Sequence, residues 1–467
     1  MPSTTPSLAR HPIALTGAAL VTVSAVLFLF VYLLEVLGFS TNPYIEMVFF
    51  LGMPGIFVFG LLLIPIGMYR EHRKRLGGYV RPAGWPVVNL NDPRHLRIAA
   101  IVSALTLVNL FIVALAGFQG VHYMDSVPFC GQVCHEVMQP QFVSYQGGPH
   151  ARVACVQCHI GPGAPWFVRS KLSGARQLYA VMFNTHSRPI PSPVKNLRPA
   201  RDTCEQCHWP EKFHGDTIRA FREYGNDQPN TESVTAMRLH VGGGSDSIGR
   251  VKGIHWHTSR STRIEYIASD EKRQVIPWVR LTRPDGTVKE WIADGVSSDA
   301  LGAGERRVMD CVDCHNRPSH TFAASAERAV DQAIARGEID RSLPFVRREA
   351  VRVLKTSYPT QDAAFASVQR SLLAFYQGQE LGVLPARRAE VDRAVQAVQR
   401  LYGRNVFPEM KVSWGAYANN LGHMDFPGCF RCHDDTHKAS DGSTIAQDCE
   451  MCHTQEELPV PAPQALN

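Results

Sequence analysis

Three stretches near the amino terminus are apolar almost without interruption, and nothing later in the chain matches them. Residues 13–37 are 25 residues with one charge, Glu35; residues 47–68 are 22 with none, and residues 98–118 are 21 with none. Each reaches the roughly 20 residues a helix needs to cross a bilayer. The first is too long for the apolar region of a signal peptide and has only Arg10 in front of it, which predicts a retained helix. The loop 38–46 carries no Lys or Arg, whereas the next contains Arg70, Arg73, Lys74, Arg75, Arg81, Arg94 and Arg97. Positive residues stay on the cytoplasmic side. The expected topology has a cytoplasmic amino terminus and everything after Phe118 on the periplasmic side. Glu35 is an ionisable group within a span, and it either snorkels to water or has a functional role.

Beyond the spans the pattern turns to shorter amphipathic units. Phe167, Val168, Leu172, Ala175, Leu178, Tyr179 and Met182 share one helical face, with Arg169, Ser173 and Arg176 opposite. Lys171 falls on the apolar side, where an ammonium snorkels or has a task. The Pro-rich segment 187–199 reads as an extended connector. Strands are expected at 263–267, 274–281 and 287–292, the last after an Asp285-Gly286 turn, within a β insertion at 233–310. In that reading His255 and His257 of the His-Trp-His run lie on one face of a strand. Helical periodicity returns over 323–402, and the Pro-rich tail 458–467 is expected to be disordered. The expected fold class is mainly α, with three transmembrane helices followed by a cofactor-packed domain bearing a small β insertion. The domain limits are 1–119, 120–232, 233–310, 311–457 and the tail.

The cysteines say what the cofactor is. All 12 fall into six pairs, Cys130/Cys134, Cys155/Cys158, Cys204/Cys207, Cys311/Cys314, Cys429/Cys432 and Cys449/Cys452. Each pair is followed at once by a histidine: His135, His159, His208, His315, His433 or His453. Two thiols and an imidazole in that order attach a c-type haem, the thiols bonding the vinyl groups and the imidazole the iron. Zinc knuckles do not require a His directly after every second Cys, and disulfides would not produce it either. The first pair has three residues between its cysteines; the other five have two. Six haems are expected, and covalent haems of this type are assembled outside the cytoplasmic membrane. The formal charge of +6 carries no nucleic-acid signal, because the haem propionates outweigh it and pair with Arg and Lys.

Six irons need a further ligand or an open position. Ten histidines outside the motifs lie beyond the spans. The preferred distal set is His150, His255 or His257, His320, His423 and His437. Histidines only five or six residues after a motif His, such as His320, would serve a neighbouring haem. Met138 is the natural candidate at the first haem, where a thioether raises the potential.

The stretch FCGQVCHEVM after the third span, the PHARVACVQCH segment and the basic helix VRSKLSGARQLY resemble the NapC/NirT/NrfH group of membrane-anchored multihaem quinol dehydrogenases. The three-span layout, DTCEQCHWPEKF and FPGCFRCHDD look closer to the ImcH-like inner-membrane cytochromes. The resemblance implies menaquinol oxidation beside the first haem at the outer face of a bacterial cytoplasmic membrane. Electrons would then pass from the quinone pool through haem c to a periplasmic cytochrome or reductase. It also implies that Lys171 matches the family's lysine beside the quinol, and that Met138 stands for the family's methionine ligand. Two other functions stay open: a conduit subunit of a larger respiratory complex without a quinol site, and a terminal reductase of a small oxyanion.

Overall fold

The structure, a computed structural model, describes residues 11–37, 49, 52–75, 89–161, 163–194, 197–213, 215–243, 251–297, 301–302, 304–378 and 382–456. The predicted tail, the loop 38–46, the start of the second predicted span and His214 lie outside the described residues, as do the side chains of Glu35 and His135. The chain divides into two compact units, Met1–His135 and Glu136–Asn467.

The first unit holds α1 (Pro12–Val36), α2 (Met53–Arg75) and α3 (Pro93–Met124). All three are long and apolar enough to cross a membrane. α2 continues past Met68 to Arg75, and α3 extends beyond 98–118 at both ends. Polar helix formers prolong a helix into water after the apolar run stops. The start of α3 is fixed by Pro93 at its first position and by Asp92, whose Oδ1 accepts from the Arg94 N–H at 2.8 Å.

α1 and α2 run antiparallel in close contact, and small residues make this possible. A Cβ added at Gly17 would stand 2.7 Å from the Gly60 carbonyl oxygen, and one at Gly60 would stand 2.9 Å from the Gly17 carbonyl oxygen. A Cβ at Gly67 would press on the Ala14 backbone. Lipid tails are as apolar as leucine, so van der Waals fit, not hydrophobicity, holds such helices together. Phe28 and Val31 of α1 join Ala116 and Tyr123 of α3 in a small core, against which Phe129 packs.

Among the described residues, the second unit carries eight strands in two antiparallel sheets. They are β1 (Thr217–Tyr224), β2 (Glu232–Leu239), β3 (Arg263–Ala268), β4 (Trp278–Thr282), β5 (Val288–Ala293), β6 (Glu305–Val308), β7 (His437–Ala439) and β8 (His453–Glu456). One sheet has the order β1-β2-β8, the other β6-β3-β4-β5-β7. Three of these strands lie outside the predicted 233–310 range. β1 precedes it, and β7 and β8 arrive from the carboxy-terminal motif region, pairing Ala293 with His437 and Leu239 with His453. Strands of three or four residues leave too little alternation to be seen in the sequence.

A second expectation is corrected. His255 and His257 lie on a 3₁₀ turn, Ile254–Thr258, and not on a strand. Gly253 precedes it with φ +77°, and a Cβ there would meet the His240 carbonyl oxygen at 2.6 Å. Crossing its neighbour so closely turns the chain before a strand can form. In a 3₁₀ turn residues two apart point in different directions.

Between the fourth and fifth cysteine pairs, α4 (Ala326–Ala335), α5 (Val346–Leu354), α6 (Gln361–Gly378) and α7 (Arg388–Asn405) bury one apolar core around Val330, Val346, Val368, Val391 and Val398. Asp331, buried in that block, is paired with Arg347 at 2.9 Å. This block contains no cysteine and stands on its own hydrophobic packing.

The glycine contacts of the first unit set a test. Gly60→Leu should push α1 and α2 apart at a cost of about 1–3 kcal/mol, read as a lower midpoint of thermal aggregation in detergent. Gly55→Leu, on the same helix with nothing within 4 Å of the added Cβ, should be neutral. Equal effects would mean that close glycine packing does not hold the helix pair.

Candidate functional site

Each Cys/Cys/His motif is shaped by one turn of helix. Cys155–His159, Cys311–Cys314 and Cys449–Cys452 are short α-turns, Ala200–Cys204 leads into the third motif, and Gly428–Arg431 is a 3₁₀ turn. The first motif differs: Phe129–Val133 is a π-turn. A π-turn absorbs one extra residue within a helical run, and this motif is the one whose cysteines stand one residue further apart. Side-chain capping fixes the fourth motif in place. The Asp310 side chain accepts from the Cys311 N–H at 2.6 Å, and Asp313 accepts from the Asp310 N–H at 2.7 Å. Asp310 also accepts from the Ala200 N–H at 2.8 Å, which ties the third motif to the fourth. Asp313 in turn accepts from the Tyr266 hydroxyl at 2.5 Å, so β3 anchors the fourth motif. All twelve thiols are free of disulfides.

The chain itself covers the attachment thiols to different degrees. Cys158, Cys207 and Cys449 are exposed, whereas the other cysteines are half-buried. Cys207 departs furthest from the regular pattern. The helix of its motif ends at Cys204, and Cys207 lies in the turn that follows, its N–H donating to the Cys204 carbonyl at 3.1 Å. A turn has no apolar face to lay against a neighbour, so it stays on the surface. The spacing of the third motif is regular in sequence, and only its backbone shows that the second thiol sits outside the helix.

Five motif histidines stand opposite another histidine from elsewhere in the chain. Ring centres are 6.2 Å apart for His159 and His320, 6.1 Å for His208 and His150, and 6.3 Å for His315 and His255. They are 5.8 Å apart for His433 and His257, and 6.0 Å for His453 and His423. An imidazole nitrogen binds a first-row metal at about 2 Å and lies roughly 1 Å from its own ring centre, so two imidazoles on opposite sides of one iron place their ring centres about 6 Å apart. The spacing of all five pairs fits a haem iron between them. Successive motifs are also neighbours in space. Cys158 is close enough to Cys204 and Cys207 to feel their charge, Cys204 and Cys311 hydrogen-bond, Cys314 feels Cys429, and Cys429 acts on Cys452. Motifs two to six therefore follow one another in chain order.

Five of the ten paired imidazoles are held in the form a metal needs. Burial lowers the pKa of His159, His255, His257 and His315, and takes His320 down to about 4. Lowering a histidine pKa favours the neutral ring, whose nitrogen lone pair can bind iron. Backbone carbonyls then choose the tautomer. Nδ1 donates to Pro318 O from His150 at 2.8 Å, to Val241 O from His255 at 3.2 Å and to Ile254 O from His257 at 2.8 Å. His320 donates likewise to Gln141 O at 2.9 Å and His433 to Ala446 O at 2.9 Å. With Nδ1 protonated, Nε2 is the nitrogen left for the metal.

The sequence offered His255 or His257 for one position; the structure sets the two rings opposite different motif histidines, His315 and His433. His437 is corrected out of the set. It is 1% exposed, its Nδ1 lies 2.9 Å from Asp434 and its Nε2 lies 2.7 Å from the Ile276 carbonyl oxygen. A protein oxygen stands against each nitrogen, which leaves no room for an iron at either. Met138 is half-buried three residues after His135. His186, which the preferred set omits, has both ring nitrogens buried without a hydrogen-bond partner; such a group calls for an acceptor or a metal. Nothing in its sequence neighbourhood marks it.

Lys171 lies on the helix Ala164–Met182 with its Nζ 4.8 Å from the Phe167 ring centre. The apolar face predicted for this helix is open: Val168 is 55% exposed, Leu172 68% and Met182 70%. Arg169 sits over the Trp166 ring at 5.1 Å. An exposed apolar face flanked by cations and aromatics suits a membrane–water interface.

Comparison with known proteins agrees with this architecture. Residues 93–189 match the N-terminal region of the NapC/NirT cytochrome c family. The cytochrome c-type protein ImcH of Geobacter sulfurreducens is 40% identical over 448 residues, covering 95% of this chain and 87% of the relative. No solved structure matches.

The pairing geometry separates two kinds of histidine. His257→Gln should turn one low-spin haem high-spin, seen by electron paramagnetic resonance, with the other signals retained. His437→Gln should leave every haem signal in place and lower the unfolding free energy by about 1–3 kcal/mol, the cost of a buried polar group left unpaired. A high-spin haem in the His437 variant would restore that residue to the ligand set.

Proposed function

The chain belongs to the family of the cytochrome c-type protein ImcH, as a membrane-anchored c-type cytochrome with a NapC/NirT region, and from that membership we propose that it oxidises menaquinol and passes the electrons to a periplasmic redox partner. The reading places a haem at each of the six motifs. His320, His150, His255, His257 and His423 are the distal ligands of motifs two to six, and Met138 is the ligand at the first. The observation that carries it is the set of five histidine pairs, each about 6 Å apart and each containing one motif histidine. Covalently bound haem supplies one-electron transfer at each position, and the surrounding residues set its potential.

The residues have distinct tasks in this reading. With haem bound, the facing imidazoles would hold each iron and leave no open position, which suits electron transfer and disfavours oxyanion reduction. The run of neighbouring motifs from Cys155 to Cys452 supplies a path with an entrance and an exit. The helix Ala164–Met182 lays its open apolar face on the outer membrane surface, and Lys171 sits in that face beside the quinol. Its ammonium donates to a quinol oxygen and orients it. Oxidation releases two protons and two electrons; the protons leave to the aqueous periplasm and the electrons enter the haem chain.

Two experiments test this. Lys171→Gln should slow haem reduction by menaquinol analogues at least tenfold, about 1.4 kcal/mol in barrier, and leave reduction by dithionite unchanged. Unchanged quinol kinetics would favour the conduit without a quinol site; equal loss with both reductants would indicate a damaged fold. Reporter fusions at Arg75 should behave as cytoplasmic and at Gly225 as periplasmic. The reverse pattern would put the haem domain on the wrong side for this function.

A further inference from the structure

Most buried arginines of the second unit have an acid beside them. Arg347 meets Asp331 at 2.9 Å, Arg307 meets Asp313 at 3.5 Å and Arg273 meets Glu305 at 3.0 Å. Arg317 does not. Its Nε and Nη2 are buried with no hydrogen-bond partner, and no ion pair of Arg317 appears among the described residues. It stacks on Tyr417 at 4.0 Å from the ring centre and lies 5.8 Å from the Phe322 ring. Those faces attract a cation but satisfy none of its N–H groups. A guanidinium stays charged even when buried. A buried guanidinium with idle donors is costly unless an anion meets it.

The surroundings show which anion. Tyr417 accepts from Gln141 Nε2 at 3.1 Å, and the Gln141 carbonyl accepts from His320 Nδ1 at 2.9 Å. Arg317, three residues before His320 in the chain, reaches it through Tyr417 and Gln141. The guanidinium therefore belongs to the rim of the His159–His320 pair. A haem between those rings brings two propionates, which no protein acid here duplicates. We propose that Arg317 is the carboxylate-binding site for a propionate of the haem held by His159 and His320. Its planar donors match a carboxylate two by two, which an ammonium cannot do. The pair sets the potential of that haem: the nearby positive charge favours the reduced, more negative state. This assignment rests on the haem reading above, and the test keeps the two apart.

The full chain is purified in detergent and its covalent haem counted. Arg317→Leu should lower the reduction potential of one haem and leave the others in place, and Arg317→Lys, which keeps the charge, should lower it less. To identify the haem, the substitution is repeated in a His320→Gln background, where the haem at His159 becomes high-spin and spectrally separate. A shift confined to that high-spin signal supports the assignment. A shift on a low-spin signal overturns it in favour of another haem, such as that of His315. Unmoved potentials at full haem content overturn the carboxylate site, and equal shifts for Leu and Lys would mean that packing on Tyr417, not charge, is what Arg317 supplies. Haem missing at His159 in the parent chain would instead overturn the haem reading.

Discussion

The motif-bearing segments of the second unit hold pairs of imidazoles at one separation. Two nitrogens on opposite sides of a metal leave about 6 Å between ring centres, and five pairs meet that figure to within a few tenths. A motif supplies one ring of each pair by itself; the other must be brought from elsewhere. His320 follows the fourth motif but faces the histidine of the second, and His150 precedes the second but faces that of the third. Each crossing fastens two stretches of chain, so the pairs serve as the tertiary contacts of segments too short to bury a core of their own. Where no cysteine motif occurs, from Ala326 to Asn405, an ordinary hydrophobic core takes over.

Pairing also depends on the electrical state of the rings. A protonated imidazole has no lone pair for iron, and burial removes that state by penalising the charge. The same burial would be costly for Nδ1 if it were not bonded, and backbone carbonyls from Pro318, Val241, Ile254, Gln141 and Ala446 accept from it. His437 shows the contrast. It is the most buried histidine among those described, yet with acceptors at both nitrogens it braces Asp434 and β7 and is lost to ligation. Burial alone does not identify a ligand; the hydrogen bond that leaves one nitrogen idle does. Arg317 follows the same logic from the other side, as a donor set whose acceptor is not supplied by the chain.

The first unit obeys a different solvent. Gly17, Gly60 and Gly67 let α1 and α2 touch backbone to backbone, while α3 keeps Leu107, Leu110 and Phe111 outward. Outward leucines would be a liability in water and are neutral in lipid. The helix Ala164–Met182 lies between these regimes in chemistry, amphipathic and open on its apolar side.

The sequence by itself determined the three spans, the six thiol pairs with their histidines, the long helices and the family, because each is written locally as a run, a spacing or a period. It also named, among histidines whose number exceeded any ordinary need, those that the structure sets opposite a motif histidine. What it did not contain was partnership. It placed His255 and His257 on one strand face, where the close approach of Gly253 to His240 O forces a turn and sends the two rings to different motifs. It counted His437 as a ligand, because the Ile276 carbonyl that occupies its second nitrogen is 161 residues away in the chain. It did not show that the helix of the third motif stops at Cys204 and leaves Cys207 in the turn that follows, because a spacing does not record where a helix ends. It confined the strands to one insertion, because β7 and β8 exist only through partners that the fold brings to them. Arg317 was invisible for the same reason: an arginine without an acid can be recognised only when all of its neighbours are in place. Ring pairing, tautomer and unmet charge are properties of positions distant in sequence, and only the tertiary structure decides them.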